Sequence, residues 1–258
     1  MLNEVTISKA IISTYMEKLL WALELDVAIV GAGPSGLVAG YYLAGSGIKA
    51  AVFEKKLSIG GGMWGGGMMF NEIVIQEEAR EILDELDIPV KTFEPGYYTA
   101  DSVHAVSTLI HRAMDRGLKI FNCISIEDVV FKNHQVSGLV INYSPVEMAG
   151  LHVDPLTLHS SFVLDATGHP ANVVTALVRK MGVRLDTPTG GIVGERSMDA
   201  GLGEQHTVEN TREVFPGLFV SGMAANASYG GYRMGPVFGG MLLSGRKAAR
   251  EITQRLRS

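Results

Sequence analysis

A glycine loop set between a strand and a helix constrains this chain more than any other feature. The run Asp26-Val27-Ala28-Ile29-Val30 is short and apolar, Gly31-Ala32-Gly33-Pro34-Ser35-Gly36 follows at once, and Leu37, Ala39, Tyr41 and Leu43 then recur at helical spacing up to Gly45. In such a unit Gly31 permits the tight turn, Gly33 lets a pyrophosphate approach the backbone, and Gly36 lets helix and strand pack closely. The helix N-terminus adds partial positive charge for the phosphates. A second apolar strand over residues 49–53 ends at Glu54, near the spacing of about 20 residues at which such units carry an acid for the ribose diol. An acid there disfavours a 2′-phosphate, so NAD or FAD is expected rather than NADP.

The rest of the chain extends this βαβ unit. Ile7, Ala10, Ile11, Tyr15, Leu19 and Leu20 predict an amphipathic helix over residues 5–23, with a packing role ahead of the first strand. The run from Gly60 to Met69 is too rich in glycine for a helix interior and too apolar for a linker, which predicts an ordered loop against a ligand. Helices are expected over 77–86, 102–116 and 239–256, and strands over 118–126, 128–132, 136–143, 161–166 and 217–222; residues 144–160 lack clear periodicity. With no internal repeat or linker, the expected fold is α/β. It is a single Rossmann-like dinucleotide-binding domain of the glutathione-reductase type over 1–258, with an N-terminal helix and a β-rich insertion over about 118–160.

Composition narrows the partners. A net charge of −5 without clustered Lys and Arg gives no footprint for nucleic acid or an acidic membrane. Apolar stretches break well before the roughly 18 residues of a membrane span, and residues 1–20 do not read as a basic-then-apolar leader. Cys123 is the sole cysteine, which excludes an internal disulfide and a multi-cysteine metal site and fits a reducing compartment. A cytoplasmic enzyme acting on small molecules is the expectation.

Three later features bear on chemistry. In two-dinucleotide flavoproteins a strand like residues 217–222 ends in Gly-Asp; here Met223 follows Gly222, and no second Gly-x-Gly-x-x-Gly follows a strand, which counts against FAD. His152-Val153-Asp154-Pro155 and His169-Pro170 place imidazole and carboxylate where a divalent first-row metal such as Fe(II) finds ligands, although in an arbitrary chain loop histidines capping turns before proline are the commoner reading. Arg233 stands alone in the glycine segment from Gly230 to Gly240, suited to clamping a carboxylate or to bonding helix carbonyls. His104, His111, His134 and His206 suggest no role.

The order of Gly31-Ala-Gly-Pro-Ser-Gly36, Phe53-Glu-Lys-Lys56, the Gly60 to Met69 run, His152-Val-Asp-Pro155, Asp165-Ala-Thr-Gly-His169 and Gly231-Tyr-Arg-Met-Gly-Pro236 resembles the thiamine thiazole synthase family, its archaeal branch in particular. The resemblance implies that NAD is a substrate. It loses nicotinamide, condenses with glycine and takes up sulfur to give an adenylated carboxythiazole. It further implies that Ser35, Glu54, Lys55 and Gly62 hold the dinucleotide with the loop glycines, that Val129 and Met223 are apolar contacts, and that His152, Val153 and Asp154 line the site. Arg233 would bind the glycine carboxylate, and Asp154 with His169 would bind iron between subunits of a homo-oligomer, an octamer in that family. Eukaryotic members carry a sulfur-donating cysteine where this chain has His152, so free sulfide and repeated turnover are implied, with His152 as a proton carrier. Cys123, in an expected buried strand, reads as a small hydrophobe. The other readings are an FAD-dependent oxidoreductase, a ribose 1,5-bisphosphate isomerase and a non-catalytic nucleotide sensor.

Overall fold

The computed structural model describes residues 1–258. Asn3 opens the first helix by accepting the Thr6 N–H at 3.0 Å, and α1 (Glu4–Trp21) leads into β1 (Glu24–Val30), α2 (Pro34–Gly45) and β2 (Ala50–Glu54). β1 and β2 pair in parallel from Val27 opposite Ala50 to Val30 opposite Phe53. After a short 3-10 turn at Gly61–Gly65, β3 (Glu72–Ile75), α3 (Glu77–Glu85), β4 (Lys91–Glu94) and β5 (Tyr97–Asp101) build a small antiparallel sheet, and α4 (Ser102–Asp115) returns the chain to β6 (Lys119–Asn122). β7 (Ile124–Lys132) and β8 (Gln135–Tyr143) form a hairpin, and α5 (Ser144–Met148) precedes β9 (Leu156–Asp165). The remainder is α6 (Asn172–Met181), β10 (Arg196–Met198), α7 (Ala200–Glu209), β11 (Arg212–Phe215), β12 (Leu218–Val220), α8 (Met223–Tyr229), β13 (Tyr232–Arg233) and α9 (Gly239–Arg257).

The main sheet runs β11-β12-β9-β1-β2-β6, parallel except at β11. Alternation along its strands sends Val27, Ile29 and Val52 to one face, where they pack with Leu37, Leu109 and Leu242 from the helices. Ala28, Val30 and Phe53 go to the other, under Leu139, Ile141 and Leu158 of the β-hairpin layer. Burial on both faces explains why these strands read as unbroken apolar runs. β9 is shared: Leu156–His159 pair with β8, while the β1 pairing runs from His159 opposite Glu24 to Asp165 opposite Val30. An α/β, Rossmann-like architecture therefore carries the chain.

Several local expectations are corrected. The strand expected over 118–126 is broken at Cys123, whose φ of +57° is left-handed; β6 completes the parallel sheet and only β7 leaves it for the hairpin layer. Cys123 is half-buried at this break, not inside a strand. The aperiodic stretch 144–160 holds α5 and the first half of β9. The first helix does not pack as expected: only Leu19 is buried, while Ile7, Ile11, Ile12, Met16 and Leu20 are exposed. Periodicity defines an apolar face but not what covers it. No helix is long and apolar enough to cross a membrane.

Candidate active site

The glycine loop turns at the carboxyl edge of the parallel sheet, where open α/β sheets bind ligands. Gly31 has φ +97°, and a Cβ there would lie 2.5 Å from the carbonyl oxygen of Ala166, so β9 leaves no room for a side chain. A Cβ at Gly36 would meet the Gly31 oxygen at 2.1 Å, whereas one at Gly33 would meet nothing within 4 Å. Gly33 is thus the open member, at the N-terminus of α2, whose first-turn N–H groups have no intrahelical acceptors. The Gly60–Gly65 segment closes over this loop: the Gly60 N–H donates to the Ala32 oxygen at 2.7 Å, and Gly62 faces open space.

Glu54 is buried at the end of β2, and its two oxygens accept the N–H groups of Ala32 and Lys56, each at 2.8 Å. A carboxylate offers about four acceptor positions, so two remain for ribose hydroxyls. Lys55 is exposed and its ammonium pairs with Glu147 at 2.9 Å. The Ser35 hydroxyl is buried and donates to Ser221 Oγ at 2.7 Å, which leaves its backbone N–H for a phosphate. Val129 is buried in β7, its side chain packed in the core between the hairpin and the main sheet. Met223 is buried and begins α8 directly after Gly222.

The candidate metal ligands lie on two separate segments of the chain. His152, Val153 and Asp154 form an exposed segment before β9, held where Asn142 donates to the Val153 oxygen at 3.1 Å. His169 follows the end of β9 on a turn stapled by Asp165. That wholly buried carboxylate accepts from Thr167, Val173 and Val174, and burial pushes its carboxyl up against the pull of these bonds. Nδ1 of His169 lies 2.8 Å from both oxygens of Glu195. Within one chain no three His, Cys, Asp or Glu side chains converge into a metal group, so His152, Asp154 and His169 are not brought together there. Arg233 is exposed in β13, and its guanidinium has no carboxylate partner in the chain.

A sequence model of the Thi4 family matches residues 8–238. The chain belongs to the Thi4 family. It is 60% identical to the thiamine thiazole synthase of Methanothermobacter thermautotrophicus over 256 residues, with 99% of each chain covered, and equally so to that of Pyrococcus furiosus. The crystal structure of Thermovibrio ammonificans THI4 superposes with a TM-score of 0.96 at 56% identity, covering 100% of this chain and 99% of that one. A geranylgeranyl bacteriochlorophyll reductase-like protein of Thermoplasma acidophilum shares the fold alone, at 14% identity and a TM-score of 0.55 over 91% of this chain and 79% of its own.

Two carboxylates of this Thi4 chain were invisible to motif reading. Glu195 lies in a loop without a pattern of its own. Glu204 sits on α7 against the start of α9, where it accepts the Gly240 N–H at 2.6 Å; burial pushes its carboxyl up to about 7. Beside it, Gln76 Oε1 and Glu204 Oε1 are buried without partners. Neither carboxylate precedes a glycine turn or sits at a metal-ligand spacing, so only packing reveals them.

Proposed function

We propose that this chain is a thiamine thiazole synthase, a transferase that consumes NAD, glycine and free sulfide with Fe(II) to make an adenylated thiazole carboxylate over repeated turnovers. The observation that carries the reading is the loop opened at Gly33, with Glu54 fixed beside it by the backbone of Ala32 and Lys56. The loop and Glu54 bind the ADP-ribose part of NAD through backbone N–H groups and ribose hydroxyls, with Lys55, Gly62 and Met223 around it. Met223 in place of the flavoprotein aspartate supports a dinucleotide that is consumed. Arg233, free of any partner, binds the glycine carboxylate through a two-pronged contact.

The donor set fits a ferrous ion: a carboxylate from Asp154 and an imidazole from His169 whose Nδ1 already faces Glu195, which leaves Nε2 for metal. Because these ligands do not meet in one chain, the site is completed between subunits of a homo-oligomer, which the exposed apolar face of α1 also supports. Bound iron supplies a Lewis acid that holds sulfide against a glycine-derived substrate. His152, exposed beside Asp154, moves protons in the condensation. Oxygen-sensitive reagents and a lone thiol favour a reducing cytoplasm.

Anaerobic incubation with NAD, glycine, sulfide and Fe(II), followed by mass spectrometry, tests the reading. The adenylated thiazole is the expected product. Its absence, stoichiometric flavin in the purified protein, or turnover of ribose 1,5-bisphosphate without NAD and glycine would overturn it.

A further inference from the structure

We propose that Glu195 is the positioning residue of the metal site, taking the Nδ1–H of His169 so that the ring is fixed and Nε2 is the atom presented to the cation. The inference rests on His169 being a metal ligand, as above. Both carboxylate oxygens stand 2.8 Å from Nδ1, and the Glu195 side chain is only 15% exposed, against 54% for His169. Its one ionic partner in the chain is this imidazole. A carboxylate so sheltered would be costly to leave alone, which favours the ring orientation seen.

The surroundings hold both partners still. On either side of Glu195, the Gly194 N–H donates to Ala227 and the Arg196 N–H to Gly231, each at 2.9 Å. β10 then pairs with β13, Met198 standing opposite Arg233. Across from it, the Asn172 N–H donates to Thr167 Oγ1 at 2.8 Å, which locks the turn that carries His169. Glu195 therefore ties the histidine turn to the strand that bears Arg233, and sets the metal ligand and the carboxylate clamp in one frame. A carboxylate on the far nitrogen also strengthens the metal-facing one, and loss of such a partner typically weakens metal binding by about 10- to 100-fold.

The experiment is anaerobic titration of the intact, assembled chain with Fe(II) and with Co(II), read by calorimetry and by the Co(II) absorption bands. Glu195→Gln is expected to weaken metal binding by about tenfold, Glu195→Ala by up to about 100-fold, and Glu195→Asp to recover most of the loss. The Ala variant shifts the Co(II) bands, and in all three variants NAD affinity and the melting temperature stay at wild-type values. Unchanged metal affinity and bands in Glu195→Ala would overturn the proposal, as would a parallel loss of metal binding, NAD binding and melting temperature in Glu195→Gln. The underlying metal reading fails separately, and takes the proposal with it, where His169→Ala binds metal as the wild type does.

Discussion

A Cβ at Gly36 would stand 2.1 Å from the carbonyl oxygen of Gly31, while Gly33 between them opens onto empty space. The loop glycines therefore divide their work between folding and ligand approach. Gly36→Ala is expected to destabilise the protein by about 3 kcal/mol, because backbone rather than a flexible side chain stands in the way. Gly33→Ala is expected to shift the melting midpoint by less than about 4 °C yet to weaken NAD by at least about tenfold, the methyl filling the phosphate approach. Equilibrium unfolding and NAD titration of the two variants decide this; the reverse pattern would sink it.

Glu204 makes stability depend on pH in an unusual direction. Its carboxyl, ordinarily at 4.5, is pushed up to about 7 by burial, so between those values the folded chain holds more protons than the unfolded one. Stability from this group is present below about 4.5 and lost as pH rises through about 7, on the order of 3 kcal/mol in all. Glu204→Gln keeps an acceptor for the Gly240 N–H without the buried charge. It is expected to raise the unfolding free energy at pH 8 and to flatten its pH dependence between 4.5 and 7. Urea titrations across that range provide the check, and a variant with the wild-type slope would contradict the account.

Arg233 has no partner to satisfy it before substrate arrives. Arg233→Ala is expected to raise the KM for glycine by about 100-fold with NAD affinity unchanged, and Arg233→Lys by about tenfold, since an ammonium keeps the charge but loses the planar fork. Steady-state kinetics with glycine varied measure this. Equal losses for NAD and glycine would place Arg233 in the fold instead.

A metal site shared between subunits predicts complementation. Asp154→Ala and His169→Ala are each expected to be inactive alone, and subunits of the two mixed and reassembled are expected to regain activity, because some interfaces then unite an intact Asp154 with an intact His169. A mixture as inactive as its parts would show that the ligands act within one chain.

Exposed apolar residues limit what periodicity alone tells. The spacing of Ile7, Ile11, Leu19 and Leu20 marks a helix face, yet only Leu19 finds the core. The strand expected through Cys123 fails for a different reason: a left-handed residue ends one strand and begins another without any glycine to announce it. The buried faces of β1, β2 and β9 were legible because a two-sided parallel sheet writes itself as apolar runs.

What the sequence by itself determined is therefore what depends on neighbours along the chain: the βαβ unit, the glycine turn before α2, Glu54 at the end of β2 and the glycine entrance to α9. Backbone sterics and side-chain alternation act over a few residues, so they are readable in order. Tertiary structure alone decided that Ser35 turns to Ser221, that Val129 is spent in the core, that Glu204 is buried against Gly240, and that Glu195 faces His169. Each of these joins residues far apart in the chain. Such pairings are set by how the layers pack, and no local pattern encodes that.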